Sequence, residues 1–299
     1  MSTARTVPPG GGTSTPPRFA LIATDLDGTL LRSDHTVGPL TRAALALATG
    51  RGARHVIVTG RSVNWTRPVL DALGYTGLVV CGQGGQVYDA DTQRQLTSVI
   101  LDRALAAEAV AKIEAEVGPL SLAVDLDGLD GQVLTGPGYR HDPVGNLPVV
   151  PVEDPADLWA APVRKFYVQH RTLDEDQLAE AALRVAGHLV GITKAGPGEV
   201  ELLPSGLNKA TGLAFVARRL GLTDADTVAF GDMPNDIPML AWAGHGIAMA
   251  GAHPELLAVA DEVAPSNDAD GVGIVLQRLY GTAVDPPGRS TAHPWRRSC

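Results

Sequence analysis

The chain is short of several things at once, and each shortage excludes something. Only two of its 299 residues are cysteines, Cys81 and Cys299, so no disulfide framework can be drawn and a reducing cytoplasm is the expected compartment. Aromatic residues make up only 4%, which leaves the core to aliphatic side chains. No run approaches the roughly 18 apolar residues that a membrane-spanning helix needs. Positive charge is also scarce: 24 Lys and Arg stand against 33 Asp and Glu, a formal net charge of −9. That disfavours nucleic acid or an anionic membrane as the main partner, since both bind basic surfaces. A small anionic substrate at a locally positive site remains compatible with it.

What is present suits a soluble globular protein. Hydrophobic residues account for 44% and charged residues for 19%, in a chain long enough for two domains. Residues 1–17 are rich in Pro, Gly, Ser and Thr without an apolar stretch, and residues 281–299 look equally unstructured; both are expected to be disordered. Between them, the short apolar run Phe19–Ala23, the segments HVIVTGR and GLVVCG, and the helical patterns separating them give the rhythm of a parallel α/β sheet. From Gly84 the rhythm changes to strands joined by short turns with helices between, as in an α+β domain. After Gly206 the parallel rhythm returns. The pattern predicts an α/β core over 18–83 and 195–280, with an α+β insertion over 84–194.

The chemistry-bearing residues recur where strands end. The first apolar run closes on Asp25-Leu26-Asp27-Gly28-Thr29, which puts two carboxylates at the carboxyl edge of a sheet, where open α/β folds bind ligands. Two carboxylates there repel unless a cation or a proton intervenes. Thr59-Gly60-Arg61 follows the second strand with a hydroxyl and backbone N–H groups at a helix start, a place that favours anions. Lys209 opens the helix after the insertion, and Gly231-Asp232-Met233-Pro234-Asn235-Asp236 adds two carboxylates and an amide after another buried strand. Each has a plainer reading alone: turn chemistry for Asp-Gly, capping for Thr59 and Asn235, a solvated charge for Lys209. Together, in this order and all at strand ends or helix starts, they point to one site.

This set resembles the haloacid dehalogenase superfamily of phosphotransferases, and within it the Cof-like phosphatases. The resemblance runs from Arg18 to Tyr280 through DLDGTL, TGR, the lysine after the insertion, GDMPND and the closing GIAMAGAHPELLAVADEVAPSNDADGVG. It implies a Rossmann-like core with an inserted cap that sets specificity. It further implies that Asp25 attacks phosphorus to give an aspartyl-phosphate and that Asp27 protonates the leaving alcohol, then activates water. Mg²⁺ would bind the Asp25 carboxylate, the Asp27 carbonyl and Asp232, supported by Asp236. Thr59, Lys209 and Asn235 would hold the phosphoryl oxygens, with Gly60, Arg61 and Gln83 also facing substrate. Gln83 stands where such proteins often carry Asn. An acid at position 27 suits an oxygen-ester leaving group, because an expelled halide needs no proton.

The expected activity is a Mg²⁺-dependent phosphatase acting on a small phosphorylated metabolite, foremost a sugar or polyol phosphate, in a monomer or homodimer. A sugar phosphomutase and a non-catalytic phospholigand-binding protein are the alternatives. In the insertion, Arg164, Lys165 and Tyr167 are candidates for leaving-group contacts. A second DLDG at Asp125–Gly128 lacks the following Thr and has no further motif set to serve it. It reads as a hairpin turn, the alternative being that Asp125, Asp127 or Asp130 faces the substrate.

Overall fold

The computed structural model describes residues 17–140, 149–196 and 198–281. The disorder expected for residues 1–17 and 281–299 falls outside these, apart from Pro17 and Gly281. The first stretch of core comprises β1 (Leu21–Thr24), α1 (Pro39–Gly50), β2 (Arg54–Val58), α2 (Val63–Leu73), β3 (Leu78–Cys81) and a hairpin of β4 (Gln86–Asp89) and β5 (Arg94–Ser98). The cap follows as α3 (Arg103–Val117), β6 (Ser121–Leu126), β7 (Val133–Thr135), β8 (Val149–Pro151), β9 (Val163–Gln169), α4 (Glu175–Ala186), β10 (Gly191–Gly196) and β11 (Glu199–Leu203). The core resumes with α5 (Lys209–Leu220), β12 (Thr227–Gly231), α6 (Ile237–Trp242), β13 (His245–Met249), α7 (Pro254–Leu257), β14 (Glu262–Ala264) and α8 (Gly271–Tyr280). No helix of the described residues is long and apolar enough to cross a membrane.

The core is the expected α/β unit, a sheet in the order β14-β13-β12-β1-β2-β3-β4-β5. Its first six strands run parallel, and β1 and β12 at the centre are buried along their whole length, which is why they read as continuous apolar runs. Alternation along β1 sends Leu21 and Ala23 to the side of α5 and α6, and Ile22 to the side of α1 and α8. The chain leaves β1 towards β2 and β3, and returns on its other side as β12. The strand order therefore reverses between β1 and β12, the place where such sheets open a ligand crevice at their carboxyl ends.

The cap is a second sheet, in the order β10-β11-β9-β6-β7-β8, with α3 and α4 on one face. Val124, Phe166, Val168, Val200 and Leu202 point into that helix-covered core. Alternation then turns Asp125, Lys165, Tyr167 and Glu201 to the opposite face, towards the α/β core.

Sheet membership displaces both expected boundaries. The hairpin β4–β5, expected to open the insertion, joins the core sheet because β4 pairs antiparallel with β3, Val80 opposite Val87. Strands β10 and β11, split by the expected boundary at 194/195, both belong to the cap, since β11 pairs with β9. Local pattern identified each strand but not its hydrogen-bonding partner. Strand β8, unanticipated in a Pro-rich passage, lies at the cap's edge, where proline is tolerated. The second DLDG closes strand β6 at Asp125-Leu126 and turns from Asp127 towards β7, and this hairpin docks the cap. Asn64 donates to the Gly131 carbonyl at 3.0 Å and Arg67 pairs with Asp130 at 2.9 Å, both from α2.

Gly84 governs how the two sequence segments of the core meet. Its φ is +101°, and a Cβ there would sit 2.2 Å from the carbonyl oxygen of Asn208, the N-cap of α5. A Gly84→Ala substitution is therefore strained in backbone and in space. The expected outcome is a loss of about 1–3 kcal/mol in urea unfolding, with a wild-type circular dichroism spectrum.

Candidate active site

Four loops deliver side chains to the carboxyl end of the sheet. The loop after β1 begins with Asp25, whose N–H donates to the Phe230 carbonyl of β12 at 2.9 Å and so extends the ladder across the reversal point. The chain then turns through Gly28 at φ +73°, where a Cβ would lie 2.2 Å from Asp232 Oδ2. Glycine alone lets the two acidic loops approach this closely. Thr29 donates to Asp232 Oδ1 at 2.9 Å, orienting that carboxylate.

Lys209 is the first residue of α5, whose N-cap Asn208 exchanges hydrogen bonds with Thr211. Its buried ammonium donates to Asp25 Oδ1 and Asp236 Oδ1, each at 2.6 Å. Asp236 spends its other oxygen on the backbone N–H groups of Asp232 and Met233, both at 3.1 Å. It therefore ties the GDMPND turn to Lys209, while Asp25 and Asp232 face the cavity. Thr59 accepts from the Arg61 N–H at 3.1 Å. Arg61 grips Asp27 with two hydrogen bonds, of 2.7 and 2.5 Å, and its guanidinium lies 4.2 Å from the centre of the Trp65 ring.

These groups line a cavity of about 270 Å³ between core and cap, walled on the cap side by Lys165, Tyr167, Glu199 and Glu201. Its lining carries five carboxylates (Asp25, Asp27, Glu199, Glu201, Asp232) against three cations (Arg61, Lys165, Lys209). Burial pushes Asp25 well above the usual carboxylate range; Lys209 opposes this, and the Asp236, Asp232 and Asp27 carboxylates reinforce it. Asp232 rises to about 7 through burial and Asp236. Burial works against the charge on Lys209, but Asp236 and Asp25 outweigh it and raise its pKa. The oxygens of Asp25, Asp232 and Asp236 lie within 4.8 Å of one another, an all-oxygen set that suits a hard divalent cation. A larger cavity, about 630 Å³, lies between α1 and α2 around His55 and Tyr75, and its lining holds no carboxylate.

The profile of the haloacid dehalogenase-like hydrolases matches residues 22–276. The chain belongs to that family. It is 31% identical to the HMP-PP phosphatase of Serratia proteamaculans, over 80% of this chain and 86% of the relative. It is 26% identical to the stress response protein YhaX of Bacillus subtilis, over 87% and 93%. Among solved structures, the phosphatase BT1666 from Bacteroides thetaiotaomicron superposes with a TM-score of 0.71 at 26% identity, covering 93% of this chain and 99% of that one.

Within this haloacid dehalogenase-like site, the residues singled out in the sequence come together from segments far apart in the chain. Asp25, Asp27, Thr59, Gly60, Arg61, Lys209, Asp232 and Asn235 all line the cavity. Gln83 is buried beside it, touching Asn235. Arg164 is different. The ladder between β6 and β9 shifts register at this point, and the guanidinium turns to the buried Asp125, at 2.5 Å, instead of the cavity. Asp125, buried on the core-facing side of the cap sheet, accepts from Arg164, Asp127 accepts from Ser98, and Asp130 pairs with Arg67. Sequence reading missed Trp65, Glu199 and Glu201. The alternation in Glu199-Val200-Glu201-Leu202 was a usable signal, since an inward-facing Val200 and Leu202 send both acids to the other face.

Because the folded state holds the Asp232 proton to about 7 against an ordinary 3.8, stability is lost as pH rises through that window. In EDTA, Asp232→Asn is expected to flatten the fall in melting temperature between pH 5 and 8. An added divalent cation should flatten it in the parent protein too. Thermal unfolding monitored by circular dichroism measures both.

Proposed function

We propose that this hydrolase is a phosphatase that releases inorganic phosphate from monoesters of small metabolites, through a covalent intermediate on Asp25. The observation that carries the reading is the pairing of two differently held acids at one loop. Asp25 is buried against Lys209 and beside Asp232. Asp27, two residues on, has a side chain 47% exposed to the cavity side and is oriented by Arg61. In this reading one acid serves as nucleophile and the other as proton donor.

In the first step an Asp25 oxygen attacks phosphorus, the ester P–O bond breaks, and the leaving oxygen takes the proton of Asp27. In the second, a water gives its proton to Asp27 as it attacks the aspartyl-phosphate, freeing Asp25 and phosphate. An incoming phosphate dianion competes with Asp27 for the Arg61 guanidinium. Lys209, the Thr59 hydroxyl and Asn235 hold the equatorial oxygens as charge shifts. Asp25, Asp232 and the Asp27 carbonyl would hold Mg²⁺, with Asp236 supporting; the excess of carboxylates in the lining favours such an ion. When bound, it offsets the repulsion between the Asp25 carboxylate and the phosphate dianion.

The cap wall of Lys165, Tyr167, Glu199 and Glu201 offers both donors and acceptors, which suits a hydroxyl-rich leaving group such as a sugar or polyol. The resemblance to proteins named HMP-PP phosphatase places HMP-PP on the same test panel.

Phosphate release from a panel of monoesters is expected in Mg²⁺ and not in EDTA. Asp25→Asn should lower turnover by about 10³-fold or more, and Asp27→Asn by about 10²- to 10⁴-fold. Turnover that survives Asp25→Asn would remove Asp25 as nucleophile.

A further inference from the structure

Gln83 is held at a cost. Its backbone is left-handed, φ 57° and ψ 27°, in a non-glycine residue that is 1% exposed. Its side chain lies across the TGR loop so closely that a Cβ on Gly60 would sit 2.7 Å from Nε2. At its tip the amide joins the two domains. Nε2 donates to Glu201 Oε2 of the cap at 2.7 Å, and Oε1 accepts from Asn235 Nδ2 of the core at 3.3 Å. The other Glu201 oxygen accepts from Lys165, whose ammonium also donates to the Gly60 carbonyl at 2.9 Å. Lys165 and Glu201 come from adjacent cap strands, β9 and β11.

This chain of contacts has only one polarity. A carboxylate paired with lysine accepts and cannot donate. Gln83 must therefore turn its NH₂ to the cap and its carbonyl to Asn235, and Asn235 must turn its NH₂ to Gln83. Among the described residues, the hydrogen-bond partner of the Asn235 amide is Gln83, and Asn235 Oδ1 is buried without one. Other contacts join core and cap outside this chain of amides. Asn64 donates to the Gly131 carbonyl and Ser98 to Asp127, while Arg67–Asp130 and Lys194–Glu255 are ion pairs on exposed carboxylates, which contribute little.

We infer that Glu201, held by Lys165, is a positioning residue: closure of the cap sets the Asn235 amide at the phosphoryl site through Gln83. This rests on the phosphatase reading and adds to it a link between cap closure and the phosphate pocket. With Asn at position 83 the side chain would be one methylene too short to bridge both partners, so the link belongs to the Gln83–Glu201 combination.

A double-mutant cycle between Glu201→Gln and Asn235→Ala tests it, on the best ester of the panel. The two side chains are joined through Gln83. Glu201→Gln, in which either polarity becomes available, is expected to lower kcat about tenfold in the parent and less than about twofold beside Asn235→Ala. Gln83→Asn should behave as Glu201→Gln does, with melting temperatures near that of the parent. Equal losses in both backgrounds, or an effect on KM alone, would overturn the inference. Side-chain amide resonances give a second readout that needs no turnover: those of Gln83 and Asn235 should both shift in Glu201→Gln. An Asn235 amide that stays in place rejects the link. If the wild type hydrolyses no ester the phosphatase reading fails by itself, and the amide resonances still decide whether Glu201 sets Asn235.

Discussion

Electrostatic crowding at one end of β1 is the constraint on which the rest of the site depends. Asp25, Asp232 and Asp236 are brought within 4.8 Å of one another in a largely buried place, with one ammonium, that of Lys209, between two of them. Such a cluster is unfavourable unless its charges are met by hydrogen bonds and cations. Much of the surrounding detail follows from that need. Gly28 and Gly231 stand where a Cβ would collide with Asp232 or Asp236. Thr29 and two backbone N–H groups take up carboxylate oxygens. The capping of α5 by Asn208 holds Lys209 at the helix start, and Gly84 lets that helix sit against the loop after β3. The repulsion that remains gives the acids an all-oxygen set that could hold a divalent cation.

The cap answers a different requirement. A sheet with helices on one face must do something with the other, and here the bare face supplies the cavity wall. Period-two alternation along β9 and β11 divides each strand cleanly: Phe166, Val168, Val200 and Leu202 bury under the helices, while Lys165, Tyr167, Glu199 and Glu201 face the core. The buried pairs Arg164–Asp125 and Lys165–Glu201 lie in this layer. Buried pairs are costly to desolvate and add little net stability, so their presence fits specification of one closed arrangement better than strengthening of the fold.

Much of the core and its acids were legible in the sequence. Parallel strands buried on both faces leave continuous apolar runs, and the motif residues sit at the ends of those runs, so Asp25, Thr59, Lys209 and Asp232 could be assigned to one sheet edge from spacing and family resemblance. The division of the chain was less legible. Whether β4 belongs to core or cap depends on its pairing with β3, and whether β11 does depends on its pairing with β9, neither of which is written in local pattern. Arg164 illustrates the same limit at a single residue. Beside Lys165 and Tyr167 it looked equally fit to meet substrate, but at a register shift against β6 its guanidinium pairs with the buried Asp125.

The sequence by itself determined the two-part architecture and the family, and it singled out the acids that the structure gathers at one sheet edge. These depend on short-range order: an apolar strand, a turn, a carboxylate at a set offset. Only the tertiary structure decided that Asp236 braces Lys209, that Arg61 clamps Asp27, and that Gln83 meets Glu201 across the domains. Those contacts join residues distant in the chain, 118 positions apart for Gln83 and Glu201. They arise from strand order and register, which set where side chains meet and leave no mark on the residues next to them.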